Sequence, residues 1–482
     1  MTSRVPLSRT TPEEQGISSR AIIDFLDALR DQDLEIHSFM VLRRGKVAAE
    51  GWWDPYRPEY PHALYSLSKS FASTAIGFAV AEGLLSLDDR IVDFFPEDAP
   101  EPVSDHLSAL KIRHLLVMGA GHSKVVSTWD SDTDNWVKLF LEAPIAYTPG
   151  TRFMYDSMNT YMLSAIIQRV TGQPLLAFLD ERLFVPLGLS KTAWETCPRG
   201  IEGGGVGMSL TTEDIAKFGQ LYLQGGEWEG TRLLPVDWIH EAAACHISTG
   251  DAETDNDFGQ GYGYQFWRCQ HGAYRGDGAF GQVCIVMPEQ EAVIVMTSGL
   301  EDKRTLMNTV WDKLLPAMSP DALEPDEPGI AALAERIRAF RQDIPPNNQS
   351  ASNESAMNGH VYRLEPNEHQ IETWSIDFAE QDALLTLRHG FGEQSVRLGR
   401  GAWIKGRMRT TVWGLGGTEQ PVEGSFSWSD AATLDIQLAF VETAFRFHIA
   451  CHLRGQEIDI ELRSNVAWDW EPNSVMMRGQ ME

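Results

Sequence analysis

The chain has 482 residues, and its 40 Lys and Arg residues stand against 68 Asp and Glu residues, which gives a formal net charge of −28 at pH 7. Such an acidic chain is repelled by nucleic acid and by anionic membranes, and it contains no Lys- or Arg-rich run that would offset the repulsion. The hydrophobic share of 43% excludes a disordered or fibrous chain and, together with the length, predicts about two to three globular domains.

The N-terminal segment and the apolar runs predict a cytoplasmic protein. Residues 1–6 lack the basic start and the apolar stretch of a secretory signal. The most apolar helix candidate, residues 71–87, is interrupted by Ser73, Glu82 and Ser86 and is too short to span a bilayer. The five cysteines are scattered without a Cys-x-x-Cys pair, so we expect buried thiols.

In the first two thirds of the chain, segments with the apolar periodicity of strands alternate with segments that have the apolar periodicity of helices. Residues 38–51 predict a hairpin with its turn at Arg44-Gly45. Residues 66–83 and 161–172 predict two apolar helices that each end at a glycine. Two β-rich runs follow within residues 278–298. We therefore predict an α/β (α+β) domain with a strand-rich core and a large helical insertion.

The composition changes near residue 320, which marks a domain boundary. Residues 1–320 form the first predicted domain, and residues 321–350 are a linker, rich in Pro and acid, that contains a short helix at residues 330–340. Residues 351–482 contain a succession of short stretches in which apolar and polar residues alternate, separated by turns with Gly, Asn and Asp. This spacing predicts an antiparallel β-barrel or sandwich.

The strongest local pattern is Tyr65-Ser66-Leu67-Ser68-Lys69, where a loop enters the first long helix. Residues three apart on a helix share one face, so Ser66 and Lys69 are expected to be neighbours. A serine hydroxyl is a poor nucleophile, and a partly desolvated amine beside it can take its proton. The N-terminus of the helix also favours negative charge that develops nearby.

A Ser-x-x-Lys spacing alone is weak, because ordinary usage gives about one or two chance matches in a chain of this length. Ser108 and Lys111 match the spacing too and, without a later partner motif, are interpreted as a solvated turn and helix start. Two further motifs strengthen the first match. Tyr155 and Ser157 precede a predicted helix, and Gly276-Asp277-Gly278 opens a β run.

With these three motifs in order, the sequence resembles the serine β-lactamase and penicillin-binding-protein-like superfamily, in particular the branch of class C β-lactamases, related esterases, D-aminopeptidases and 6-aminohexanoate-oligomer hydrolases. The resemblance covers about residues 10–318. It implies two-step acyl transfer to water on a small-molecule or short-peptide substrate, with no metal or organic cofactor. The C-terminal part is similar in pattern to the lipocalin-like barrels of some D-aminopeptidase-type members, which implies a cover for the cleft or a site of homo-oligomerisation.

The resemblance also implies a role for each motif residue. Ser66 is the expected acylated nucleophile, and Lys69 is its activating partner. Tyr155 is the expected general base, with its pKa lowered by Lys69. Ser157 stands where the family motif usually has Asn, so recognition through an amide side chain is not implied. The backbone N–H groups of Ser66 and Ala279 are the expected oxyanion hole.

The third motif departs from the family pattern. Gly276-Asp277-Gly278 aligns with the Lys-Thr-Gly or His-x-Gly element, so the usual cation is absent, and Arg275 would point elsewhere because side chains alternate along a strand. In the lactamase members the cation holds a substrate carboxylate. We therefore expect weak β-lactamase activity and a preference for neutral or cationic esters or amides, with Ser157, Gly276, Asp277 and Gly278 among the substrate-binding residues.

Other candidates are weaker. Trp129 and Tyr264 lie in segments that the resemblance places near the cleft, and they are candidates for an apolar acyl pocket. Asp130, Asp132 and Asp134 are spaced like the start of a calcium loop, but the later positions of that motif are not filled, which favours a solvated loop. No metal site is expected.

Two other classes of function stay open. The departures at Ser157 and Gly276 are compatible with a catalytically silent ligand-binding or scaffold member of the same fold. The same acyl-enzyme chemistry also supports an acyl transferase or transpeptidase. The sequence leaves open whether the substrate is an ester or an amide, and which stereochemistry and chain length it has.

Overall fold

A computed structural model describes residues 5–128, 131–190, 192–250, 256–344, 351–390, 392–409, 418–430, 432–468 and 472–482. The helices are α1 (Ser19–Asp31), α2 (Ser68–Ala81), α3 (Ile91–Phe94), α4 (Asp105–Ala109), α5 (Ile112–Leu116), α6 (Trp136–Glu142), α7 (Ser157–Thr171), α8 (Leu175–Leu179), α9 (Val185–Leu187), α10 (Thr212–Leu223), α11 (Val236–Ala243), α12 (Lys303–Thr309), α13 (Glu327–Arg338) and α14 (Ala351–Met357).

The strands of the first half are β1 (Ser8–Arg9), β2 (Ile36–Arg43), β3 (Lys46–Trp52), β4 (His62–Ala63), β5 (Ser209–Leu210), β6 (Glu227–Trp228), β7 (Thr231–Arg232), β8 (Trp267–Arg268), β9 (Tyr274–Gly278), β10 (Gln282–Met287) and β11 (Ala292–Ser298). The strands of the second half are β12 (Val361–Leu364), β13 (Ile371–Phe378), β14 (Asp382–His389), β15 (Gly392–Arg400), β16 (Ile404–Arg409), β17 (Glu419–Trp428), β18 (Thr433–Ala439), β19 (Arg446–Arg454), β20 (Glu457–Ser464) and β21 (Ser474–Met481).

A seven-stranded sheet lies at the centre of the first half, in the order β1-β3-β2-β11-β10-β9-β8. Its neighbouring strands are antiparallel except β1 and β3. β2 and β11 are buried along their whole length because apolar clusters cover both faces of the sheet. The predicted hairpin is confirmed, since β2 and β3 flank Arg44-Gly45 and both turn residues have positive φ.

The helical insertion is built around α2, which is buried along most of its length and packs against α7 and the strand β9. The helix predicted from residue 66 begins with a 3-10 turn at Tyr65–Leu67 and continues as α2. The helix predicted from residue 161 begins earlier, at Ser157, because the Asp156 carboxylate accepts a hydrogen bond from the Met158 N–H and caps it. These two helix starts bring the first two motifs together.

A ten-stranded antiparallel sheet forms the second half, in the order β15-β14-β13-β12-β21-β20-β19-β18-β17-β16. The sheet closes because β15 also pairs with β17, which makes a nine-stranded barrel. Alternate residues point inward, as the sequence pattern predicts, and fill the barrel with large apolar side chains such as Trp374, Ile436, Ile449 and Ile460. The predicted fold class, a β-lactamase-like domain followed by an antiparallel barrel, is confirmed.

Helix α13 follows the first half and packs on α1. Among the residues with described positions, no single helix is long and apolar enough to cross a membrane. Two segments, Ser157–Thr171 and Leu175–Leu187, reach that length and composition only as a pair and are bent by 72°.

Candidate active site

Ser66 and Lys69 meet where the 3-10 turn passes into α2. The Nζ of Lys69 lies 3.0 Å from the Oγ of Ser66. This short distance follows from the three-residue spacing on a continuous helical turn. The second Ser-x-x-Lys match is different, because Lys111 forms an exposed ion pair with Asp88 instead of contacting Ser108. The interpretation of that match as a solvated helix start agrees with this contact.

The ammonium position of Lys69 is enclosed by three oxygen atoms. Besides Ser66 Oγ, its Nζ lies 2.9 Å from Ser157 Oγ and 2.8 Å from the carbonyl oxygen of Gly205. Burial lowers the pKa of Lys69 to about 7, although the charges of Asp156 and Asp277 oppose the shift. A neutral amine has two N–H donors and one lone pair, so it can donate to Gly205 and Ser157 while accepting from the Ser66 hydroxyl.

Tyr155 completes this group. Its hydroxyl is hydrogen-bonded to Ser66, and its ring centroid lies 5.0 Å from Lys69 Nζ. Burial raises the pKa of Tyr155 above its ordinary value, while the hydrogen bond between Tyr155 and Ser66 acts in the other direction. The expected lowering of this pKa by Lys69 is therefore wrong. With its pKa raised, the hydroxyl of Tyr155 keeps its proton at neutral pH.

Aromatic side chains line the Tyr155 side of the site. Trp267 stacks on Tyr155 with ring centroids 5.6 Å apart and an interplanar angle of 27°. Phe153 and Tyr262 pack against both rings. These rings contribute to the burial that raises the pKa of Tyr155.

The two glycines of the third motif allow β9 to approach residues 63–67, which contain Ser66 and which we call the nucleophile segment. A Cβ on Gly278 would lie 2.2 Å from the carbonyl oxygen of Leu64, and a Cβ on Gly276 would lie 2.3 Å from a methyl carbon of Leu67. Neither position leaves room for a side chain. Gly276 therefore fits closely against Leu67, and its role in substrate binding stays a prediction. Ala279 follows Gly278 directly at the end of the strand.

Asp277 is held by two cations, which the sequence motif did not indicate. Its carboxylate accepts hydrogen bonds from Arg275 Nε, at 2.8 Å, and from Lys303 Nζ. Burial opposes the charge of Asp277, but Lys303 and Arg275 lower its pKa below the ordinary value. Arg275 is itself fully buried beneath the rings of Phe258 and Trp267. The prediction that Arg275 points away from Gly276 is confirmed, and the Asp277 carboxylate is already neutralised.

The two aromatic candidates for an acyl pocket have different outcomes. Tyr264 is buried in the core, stacked on His246 and next to Trp238, and its assignment to the pocket is wrong. Trp267 occupies the place beside Tyr155 instead, three residues further along the chain. Trp129 lies outside the described residues.

The other minor expectations concern metals and thiols. Asp130 lies outside the described residues, and no group of three or more His, Cys, Asp or Glu within the described ranges could hold a metal ion. Cys197, Cys269, Cys284 and Cys451 are buried as expected, whereas Cys245 is exposed.

Four participants were missed by the sequence reasoning: Asp156, Gly205, Trp267 and Lys303. Asp156 carried a local signal, because an acid before an apolar helix is a typical N-cap. The other three are brought to the site by chain segments far from Ser66, so no local pattern indicates them.

Comparison with known proteins shows the family of the chain. The beta-lactamase family profile matches residues 24–314, more than half of the chain. The chain belongs to the beta-lactamase family. It is 28% identical over 323 residues to the 6-aminohexanoate-dimer hydrolase of Paenarthrobacter ureafaciens, a match that covers 61% of this chain and 81% of that protein. It is 29% identical over 199 residues to esterase EstB of Burkholderia gladioli, covering 36% of this chain and 50% of the esterase. These relatives are hydrolases of amide and ester bonds by name.

Two solved structures share the fold. A penicillin-binding protein homologue from Caulobacter crescentus superposes with a TM-score of 0.50 at 18% identity, over 64% of this chain and 100% of that one. The octameric penicillin-binding protein homologue from Pyrococcus abyssi also gives a TM-score of 0.50, at 15% identity, over 95% of this chain and 99% of that one. At these identities the likeness concerns the fold alone.

Proposed function

We propose that the protein is a serine hydrolase that cleaves a carboxylic ester or amide bond through an acyl-enzyme on Ser66. The observation that carries this proposal is the 3.0 Å contact between Ser66 Oγ and a buried Lys69 whose pKa is about 7. An amine that is largely neutral at pH 7 and lies within hydrogen-bond distance can accept the hydroxyl proton as the nucleophile attacks.

Each step of the reaction has a group to hold the proton. The Lys69 amine takes the proton of Ser66 while Oγ bonds to the carbonyl carbon, and the backbone N–H groups of Ser66 and Ala279 hold the resulting oxyanion. The hydroxyl of Tyr155 protonates the leaving group as its bond to carbon breaks. The proton that Lys69 took from Ser66 then passes to the phenolate of Tyr155. In deacylation a water molecule gives its proton to Lys69, attacks the ester carbon, and Ser66 leaves with the proton.

The charges near the site bear on substrate class. Position 276 leaves no room for the cation that lactamase relatives use, and Lys303 is bound to Asp277. These contacts support weak β-lactamase activity. The expected preference for cationic substrates loses its support, because Arg275 and Lys303 neutralise the Asp277 carboxylate. We propose neutral esters or amides, and rapid hydrolysis of nitrocefin beside slow hydrolysis of p-nitrophenyl esters would contradict this.

Covalent labelling tests the central claim. A fluorophosphonate is expected to label the wild-type chain on one serine, and Ser66→Ala is expected to lose the label completely. Ser70→Ala is a matched control, because Ser70 lies on the same helix but its hydroxyl donates to the carbonyl of Gln265. An unlabelled wild type would favour the silent ligand-binding alternative.

Acyl transfer is the second candidate, because the acyl-enzyme can react with an acceptor other than water. Product analysis with an added amine or alcohol separates the two outcomes. Hydrolysis gives only the free acid, whereas a transferase gives the acceptor conjugate as the main product.

Self-association and location stay predictions. One structural neighbour is octameric by name, which supports measuring the mass of this protein in solution by light scattering. A mass of one chain across the micromolar range would contradict the predicted homo-oligomer.

A further inference from the structure

Two residues beside the proposed oxyanion groups have left-handed backbone conformations. Tyr65 directly precedes Ser66 and has φ 47°, and Phe280 directly follows Ala279 and has φ 60°. A bulky residue in this region is disfavoured and persists only where its surroundings hold it. Side chains of the C-terminal barrel contact both residues.

The four rings of Tyr65, Phe280, Phe445 and Trp468 form one aromatic cluster, which we call the aromatic clamp. Tyr65 meets Phe280 edge to face, with centroids 5.5 Å apart. Trp468 contacts both of these rings, at 6.0 Å and 4.7 Å, and Phe445 lies 5.5 Å from Phe280. Edge-to-face and tilted contacts between aromatic rings are favourable beyond the area that they bury.

The barrel loop that carries Phe445, residues 440–445 between β18 and β19, is hydrogen-bonded to the nucleophile segment. The Ala444 N–H donates to the Tyr65 hydroxyl at 3.3 Å. The Ala63 N–H donates to the carbonyl oxygen of Glu442 at 2.8 Å. Phe280 is buried with the barrel core rather than with the core of its own half. The barrel therefore contacts the residue before Ser66 and the residue after Ala279.

The geometry points to the barrel as a positioning element of the active site. Phe445 and Trp468 hold Tyr65 and Phe280 in conformations that aim the N–H groups of Ser66 and Ala279 at one substrate oxygen. This inference rests on the proposed function, since it concerns the oxyanion hole of the same reaction. Phe445 and Trp468 act through other residues and are positioning residues, not catalytic ones.

Loss of the Trp468 ring removes two contacts that hold the clamp. Tyr65 and Phe280 then relax toward ordinary φ values, which rotates the adjoining peptide groups. Loss of one oxyanion donor costs roughly 100- to 1,000-fold in kcat, so partial misalignment is expected to cost roughly 10- to 100-fold. Substrate binding in the ground state does not use these donors fully, so KM is expected to change less than kcat.

The experiment compares Trp468→Ala with Trp403→Ala in the full chain. Trp403 packs against the separate small cluster of Tyr56, Ala439 and Val441 and is the matched control. We expect the rate constant of fluorophosphonate labelling to fall roughly 10- to 100-fold in Trp468→Ala only. Inhibition by a boronic acid, which forms a tetrahedral adduct on the serine, is expected to weaken in parallel, and Trp468→Phe is expected to restore most of both. If Trp468→Ala unfolds, Phe445→Leu makes the same comparison.

The outcomes separate this inference from the proposed function. A wild-type chain without fluorophosphonate labelling contradicts the proposed function and the inference together. A wild type that is labelled at the same rate as folded Trp468→Ala contradicts the inference alone. Equal losses in Trp468→Ala and Trp403→Ala also contradict it, because they indicate a general effect of the domain interface.

Discussion

At the scale of single residues, the site depends on the environments of two groups with opposite pKa shifts. Burial lowers the pKa of Lys69 to about 7 and raises the pKa of Tyr155. Burial disfavours the charged form in both cases, which is the ammonium of one and the phenolate of the other. These opposite shifts support the proposed roles of Lys69 as base and Tyr155 as acid.

The first residue-scale prediction concerns pH. Acylation is expected to rise as pH increases through about 7, because the neutral form of Lys69 accepts the proton of Ser66. The measurement is the rate of fluorophosphonate labelling between pH 5 and pH 9. Lys69→Ala is expected to slow labelling roughly 100- to 10,000-fold and to abolish this pH dependence. A wild-type profile that is flat across the range would contradict Lys69 as the base.

The second residue-scale prediction concerns Tyr155. Tyr155→Phe removes the proposed proton donor and is expected to lower kcat/KM roughly 100-fold or more for an amide. The loss is expected to be smaller for a p-nitrophenyl ester, whose leaving group needs no proton. Tyr262→Phe is the matched control, because its ring contacts the same Trp267. Equal effects on ester and amide would contradict the assigned role.

At the scale of elements, the strand β9 is held close to the nucleophile segment by its glycines and by an ion cluster. Gly276 and Gly278 allow the approach on one face, while Arg275 and Lys303 bind Asp277 on the other. Ala279 directly follows Gly278, the last residue of this strand. The motif that suggested a missing cation in the sequence therefore sets the distance between two elements.

Gly278→Ala tests this role of β9. Gly278 has an ordinary negative φ, so the added methyl group costs free energy through its clash with the Leu64 carbonyl and not through backbone strain. We expect a loss of about 1–3 kcal/mol in the free energy of unfolding, measured by urea denaturation, and slower labelling of Ser66. Gly83→Ala is the control for backbone strain, since its site is open but its φ is +69°. Unchanged labelling in a folded Gly278→Ala would contradict the proposed alignment.

At the scale of the whole molecule, the two halves share a partly buried ion pair. Glu35 at the start of β2 lies 2.6 Å from Arg446 on β19, and Asn465 donates to the same carboxylate. Burial opposes the charge on Glu35, but Arg446 and His37 lower its pKa to about 2. Breaking a buried pair leaves an uncompensated charge, so this contact stabilises the joined arrangement.

Arg446→Gln is expected to lower the free energy of unfolding by about 3 kcal/mol at pH 7. Since the Glu35 pKa is depressed in the folded chain, its contribution is present above about pH 4.5 and is lost as pH falls toward 2. The difference between wild type and variant, measured by urea denaturation, is therefore expected to shrink over that range. Arg454→Gln, whose partner pair is largely exposed, is the control. A difference independent of pH would contradict the assignment to Glu35.

Much of the fold was predictable because its signals are local. The hairpin at Arg44-Gly45, the first long helix and the alternating strands of the barrel follow from periods and turn residues a few positions apart. Ser66 and Lys69 were found in the same way, because three residues on a helix determine their distance. The start of α7 was placed late, since Asp156 was not recognised as its cap.

The sequence by itself determined the family, the order of the motifs and the spacing of nucleophile and base. Only the tertiary structure decided the pKa order of Lys69 and Tyr155, the neutralisation of Asp277 and the burial of Tyr264. It also decided that the barrel contacts the nucleophile segment, through a hydrogen bond between residues 379 positions apart. The physical reason is that burial and charge pairing depend on which distant segments pack together, and no local period specifies that packing.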